Sequence, residues 1–188
     1  MRFYNQTHEH YCGIDLHVKT MYVCILDAAG KVLVHRNMPS TPEAFRDVVA
    51  PYRQGLVVAV ECMFTWYWLA DVCADDGIAF VLGHALAMKA IHGGKAKNDK
   101  LDARKIAGLL KGGFFPMAHV YPKAKRETRD LLRRRSFFVR QRAQLIAHVQ
   151  NTNAQYNLPP FAKKLTYKGN RTAALAERFE HPSTQLSI

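Results

Sequence analysis

Apolar and polar positions follow short-period patterns through the first third of the chain and helical periods after that. Tyr11 to His17, Met21 to Leu26 and Lys31 to Arg36 are runs of strand-forming residues bounded by polar breaks. The second and third are joined by Asp27-Ala28-Ala29-Gly30, whose Asp and Gly supply ordinary turn chemistry, so an antiparallel meander is expected. Ser40-Thr41-Pro42-Glu43 offers a capping hydroxyl, a proline at the first helical position and an acid in the first turn, which predicts a helix to about Tyr52. Leu56 to Glu61 is continuously apolar until its final charge, as a central strand buried on both faces is. A helix over Trp66 to Ala74 closed by Gly77, a strand over Ile78 to Leu82 and a short helix over Ala85 to His92 come next, followed by a Gly93-Gly94 break. Leu101, Ile106, Leu109 and Leu110 then recur at helical intervals, predicting a helix over residues 99 to 111.

Beyond Tyr121 the pattern changes. Lys123 to Asn157 contains neither glycine nor proline, and Leu131, Phe138 and Leu145 recur every seven residues beside Leu132, Val139 and Ile146. One long helix with a coiled-coil seam is expected, ended by Leu158-Pro159-Pro160. The remainder is polar, with few apolar anchors and no closing element. A meander followed by alternating helix and strand makes an α/β fold, a mixed sheet with flanking helices and then a long helical extension. The expected division is 1–120, 121–158 and 159–188.

Charge sharpens this division. The net charge of +12 is unevenly spread: residues 1–120 hold 13 Lys and Arg against 11 Asp and Glu, while residues 121–188 hold 14 against 4. Arg126, Arg129, Arg133 and Arg140 share a stripe of the long helix, and Arg134, Arg135 and Arg142 widen it. With so few acids to balance them, a polyanion, most simply nucleic acid, is the expected partner. The 48% hydrophobic content fits a globular protein with a real core. No apolar run approaches membrane-spanning length and the N-terminus has no signal core, so no membrane association is expected and the cytoplasm is the default compartment. Cys12, Cys24, Cys62 and Cys73 form no C-x-x-C pair and sit in apolar runs, which favours buried thiols.

The candidate chemistry lies in KNDKLDARKIAGLL, from Lys97 to Leu110. Asp99 and Asp102 are three residues apart and share a face of the first helical turn. Asp15 and Glu61 stand at the ends of the two most strand-like runs. Because ligands in α/β folds gather at the carboxyl ends of strands, all four acids can meet at one sheet edge. Alone, each has a plain structural explanation as a strand-end acid, a surface acid or a helix-terminus acid. Together they repel unless protonated, spread apart or neutralised by a divalent cation. Hard oxygen donors select Mg2+ or Mn2+. Two such ions about 4 Å apart can clamp the attacking and leaving oxygens of a phosphodiester.

GIDLH with Asp15, VAVE with Glu61, and KNDKLDARKIAGLL with Asp99 and Asp102 resemble the DEDD transposases of the insertion-sequence-110 family over residues 11 to about 188. The K-N-D-x-x-D-A-R-K-I-A string is the specific part, since GID opens many RNase H-like and actin-like folds. The resemblance implies an RNase H-like (RuvC-like) catalytic domain in which Asp15, Glu61, Asp99 and Asp102 bind Mg2+ or Mn2+ and act on DNA. It also implies a coiled coil, homo-oligomers and a structured guide RNA. Full-length members carry a second domain with a nucleophilic serine, and none of Ser40, Ser136, Ser183 or Ser187 matches it. The expectation is therefore a truncated copy, inactive in recombination by itself. One alternative is a non-catalytic nucleic-acid-binding or oligomerisation module. Another is an actin-like ATPase, which GIDLH permits but which His17, Val18 and Lys19 disfavour where glycine and hydroxyl residues belong, with no later phosphate loop. Gly93-Gly94-Lys95 is too short for such a loop and is expected as a hinge. Trp66, Tyr67 and Trp68 are expected as core residues.

Overall fold

The computed structural model describes residues 2–92, 98–176 and 178–187. The chain forms two compact units, Met1–Tyr121 and Pro122–Ile188. The first is built on a sheet of β2 (His10–Leu16), β3 (Thr20–Asp27), β4 (Val32–Pro39), β5 (Leu56–Glu61) and β6 (Ala79–Gly83). Their spatial order is β4-β3-β2-β5-β6. The β2, β3 and β4 strands form the antiparallel meander, while β5 and β6 run parallel to β2. A separate two-stranded pair joins β1 (Phe3–Tyr4) to β7 (Phe115–Pro116). The helices of this unit are α1 (Pro42–Val49), α2 (Tyr67–Asp75), α3 (Ala85–His92) and α4 (Asp99–Lys111). A mixed five-stranded sheet with helices on both faces is an α/β, RNase H-like arrangement.

Strand alternation divides the core into two layers. Cys12, Ile14 and Leu16 of β2, with Val58 and Val60 of β5, pack against Phe45 and Val49 of α1 and Leu69 and Cys73 of α2. Trp66 is buried in this layer, with Tyr67 and Trp68 partly buried against it. On the opposite face Tyr11, Cys24, Val57, Ala59 and Val81 meet Ala103, Ile106, Ala107 and Leu110 of α4. The continuous apolar reading of β5 thus has a cause: Leu56, Val58 and Val60 feed one layer while Val57 and Ala59 feed the other.

Gly13 decides how closely α4 approaches. A β-carbon at this position would lie 2.3 Å from the Ala107 nitrogen and 2.4 Å from the Ala103 oxygen. Helix backbone therefore rests directly on strand backbone, with two alanines one turn apart forming the contact. This crossing carries the first turn of α4 toward the carboxyl end of β2.

Several boundaries differ from the sequence expectation. The β4 strand begins at Val32 and continues past Arg36 to Pro39, because Met38 pairs with Met21 and packs on the core. Trp66 caps α2 instead of beginning it. The Gly93-Gly94-Lys95 hinge, and Lys97, lie outside the described residues.

The second unit is led by α5 (Lys123–Gln155), 33 residues long. Its end is built by Asn153, whose side-chain amide donates to the carbonyls of Leu158 and Pro159 at 3.0 and 3.1 Å. The Asn153 side-chain oxygen Oδ1 in turn accepts from the Arg178 guanidinium at 2.8 and 2.7 Å. The segment expected to lack a closing element holds two short helices, α6 (Lys168–Leu175) and α7 (Pro182–Leu186). Leu165 and Phe179 are buried there, and the Gln185 side chain ties the two helices by accepting from the Phe179 N–H and donating to the Leu175 carbonyl.

Candidate metal centre

Two neighbouring parallel strands deliver the first two acids. Ile14 of β2 stands beside Val60 of β5, so the next residues, Asp15 and Glu61, occupy the carboxyl ends of adjacent strands. By alternation Asp15 follows Tyr11 and Gly13, and Glu61 follows Val57 and Ala59, onto the face covered by α4. The turn after Glu61 is tied down on both sides. Cys62 donates its N–H to the Gly83 carbonyl at 3.0 Å, and the Thr65 hydroxyl donates to the Leu16 carbonyl at 3.1 Å.

The third and fourth acids come from the start of α4. Asn98 caps that helix, its side-chain oxygen accepting from the Lys100 N–H at 3.0 Å. Its backbone carbonyl accepts from Leu101 and Asp102 at 2.8 and 3.0 Å. From β4, the His35 ring nitrogen Nε2 lies 2.8 Å from the Lys100 carbonyl oxygen, fastening this first turn to the meander. Asp99 and Asp102 are consequently held on an anchored turn above the strand ends.

The residue that links strand to helix is His17, which sequence reasoning did not select as a site residue. Its Nε2 lies 3.4 Å from Asp15 Oδ2 and 3.7 Å from Asp99 Oδ1. Among the described residues, Asp15, His17 and Asp99 form the group of potential metal ligands whose donor atoms all fall within 4.8 Å of one another. Asp102 Oδ1 is engaged by Lys105 Nζ at 3.2 Å. Neither Asp102 nor Glu61 belongs to the three-donor group.

Electrostatics nevertheless couples Asp102 to the cluster. Burial pushes the Asp15 carboxyl above its ordinary value, His17 opposes the shift, and the charges of Asp99 and Asp102 add to it. An acid held near other acids and partly out of water is poorly compensated by protein alone. Hard oxygen donors with such a charge deficit suit a divalent cation. The residues present therefore fit the ion that this donor chemistry selects.

The expected nucleic-acid residues on α5 have differing exposures. Arg133, Arg134 and Arg140 are exposed, Arg129 is half-buried and contacts Asp130 at 3.0 Å, and Arg126 is buried at 8% exposure. Leu131, Leu132, Phe138 and Leu145 of the same helix are exposed as well.

Asp15 and Glu61 thus stand at the carboxyl ends of adjacent central strands of an RNase H-like sheet, and Asp99 at the start of α4 stands with Asp15 and His17. The sequence model of the insertion-sequence-110 DEDD family, described as a transposase, matches residues 12–157. The chain belongs to this transposase family. Membership implies DNA binding, a role in transposition and a divalent metal ion. No curated protein sequence matches the chain. Among the described residues no helix is long and apolar enough to cross a membrane.

Proposed function

We propose that Asp15, Glu61, Asp99 and Asp102 form one Mg2+ or Mn2+ site at which this transposase cuts or transfers DNA phosphodiesters. Residues 1–120 are then a RuvC-like catalytic domain, residues 121–158 a basic coiled-coil helix, and residues 159–188 the start of a C-terminal region. The observation that carries the reading is the approach of Asp15 and Asp99, far apart in sequence, to a single imidazole nitrogen. Its support is the raised carboxyl of Asp15, to which Asp99 and Asp102 contribute.

In this reading Asp15 and Glu61 present oxygens from rigid strand ends, and Asp99 and Asp102 present theirs from the capped turn of α4. Lys105 restrains the Asp102 carboxylate and leaves its other oxygen to the site. A bound divalent ion supplies charge neutralisation at the scissile phosphate and activation of the attacking oxygen. Arg133, Arg134 and Arg140 hold backbone phosphates, each as a fixed positive charge with several donors. These arginines are also the surface offered to a structured guide RNA, and Leu131, Phe138 and Leu145 are the seam for a homo-oligomer.

The test is cleavage of supercoiled DNA by the full chain with and without Mn2+. Metal-dependent nicking should fall by about two orders of magnitude or more in Asp15→Asn and in Asp102→Asn, since each removes a ligand of the charge-stabilising centre. Equal nicking by the wild type and both variants would defeat the assignment. A second reading, a non-catalytic nucleic-acid-binding and oligomerisation module, is favoured by the exposed apolar and basic residues of α5. It predicts binding without nicking in every metal.

A further inference from the structure

The geometry points to His17 as a nitrogen ligand of the divalent ion, one that tilts the site toward Mn2+ over Mg2+; this rests on the metal site proposed above. Asp15 is the penultimate residue of β2 and His17 the first residue beyond it, where its N–H donates to the Thr20 carbonyl at 3.0 Å and fixes the start of the turn. The His17 Nε2 lies 3.4 Å from one carboxylate oxygen and 3.7 Å from another. An octahedral ion with ligands at about 2.1 Å holds neighbouring donors roughly 3 Å apart and opposite donors roughly 4.2 Å apart. The three donor atoms, all within 4.8 Å of one another, need to close by less than about an ångström to share such an ion. Half of the His17 side chain is exposed, which leaves its rotamer free to make that adjustment.

Imidazole nitrogen changes what the site prefers. Carboxylates alone serve Mg2+ well, whereas a nitrogen donor adds affinity for first-row transition ions and little for Mg2+. The competing role for His17 is a hydrogen-bonding bridge between Asp15 and Asp99 that an ion displaces. The two roles differ in whether nitrogen remains beside the metal after binding.

Pulsed electron paramagnetic resonance of the full chain loaded with Mn2+ alone reads that difference through nitrogen-14 modulation of the bound ion. Wild type should show an imidazole signal that His17→Ala lacks. In the same variant, affinity for Mn2+ should fall by about tenfold or more while affinity for Mg2+ changes by about threefold or less. Retained Mg2+ binding also reports that the variant is folded. Mn2+ bound in an Asp15-dependent way without nitrogen modulation would overturn the role of His17 and leave the carboxylate site standing. Modulation that persists in His17→Ala would overturn it too, since the nitrogen then comes from another residue. Absence of Asp15-dependent Mn2+ binding would remove the metal site itself, and the inference with it.

Discussion

The two units use apolar residues in opposite ways. In the first, Val57, Val58, Ala59 and Val60 are fully buried, and the apolar positions of the sheet are consumed by its own helices. In the second, Leu131, Phe138 and Leu145 are 68%, 59% and 66% exposed, although they repeat as regularly as any core position. Burying an apolar side chain of this size contributes about 1.5 to 3 kcal/mol, and α5 leaves that contribution unrealised within its own unit. The difference separates a scaffold that buries its own apolar positions from a helix whose apolar stripe stays exposed within its own unit.

Breaking the scaffold should have the largest effect. Gly13→Val places carbon atoms where the Ala103 and Ala107 backbone already stands, and should cost about 3 kcal/mol or more in thermal or denaturant unfolding. Gly108 lies in the same helix with nothing within 4 Å of an added β-carbon. Gly108→Ala should therefore stabilise by about 0.5 to 1 kcal/mol. If both variants behave alike, the close approach of α4 to β2 is not what holds this layer.

Next in size is the arginine surface. Replacing Arg133, Arg134 and Arg140 with glutamine should reduce the salt-dependence slope of DNA binding by roughly one for each lost phosphate contact. Arg126→Gln should change that slope least, because Arg126 is buried. An equal change from Arg126 would show that exposure does not select the contact residues. The seam should be separable from both: Leu131→Glu with Leu145→Glu should shift sedimentation toward monomer while altering intrinsic stability by only about 0.5 kcal/mol, as exposed substitutions generally do. An unchanged sedimentation profile would assign the seam some other use.

The smallest effect concerns Asp15 without metal. Its carboxyl is raised in the folded state, so proton uptake favours folding. The associated stability is present below the ordinary aspartate value of 3.8 and is lost as pH rises through the folded value. Asp15→Asn should accordingly melt higher than wild type at neutral pH in the absence of metal, and the two should converge as pH falls below about 4. A lower melting point for the variant at neutral pH would mean that the charge is already compensated.

Much of this was readable from residue order where the periodicity is strong. Leu56–Glu61, Ala85–His92 and Asp99–Lys111 occur at the expected bounds, since each has a clear period, a cap or a terminal charge. The β1 and β7 strands were not readable, because two-residue strands carry no period. The α6 and α7 helices were hidden by polar composition, their folding resting on isolated anchors such as Leu165 and Phe179. His17 was legible in principle. It stands two residues after Asp15, just past the end of β2, but a single histidine there has no signature until α4 brings Asp99 to it. Gly13 has no local signature in the sequence, and the packing of α4 explains it.

The claim that strand ends and the α4 turn share one ion is tested most directly by calorimetric titration of the full chain with Mn2+. Wild type should bind with a heat that Asp15→Asn on β2 and Asp99→Asn on α4 each reduce by about tenfold or more in affinity, because either change removes a ligand from the same site. Saturating Mn2+ at about 100 times its dissociation constant should also stabilise the wild type by roughly 2.7 kcal/mol. Binding by both variants equal to that of wild type would contradict a shared site, and with it the proposed chemistry.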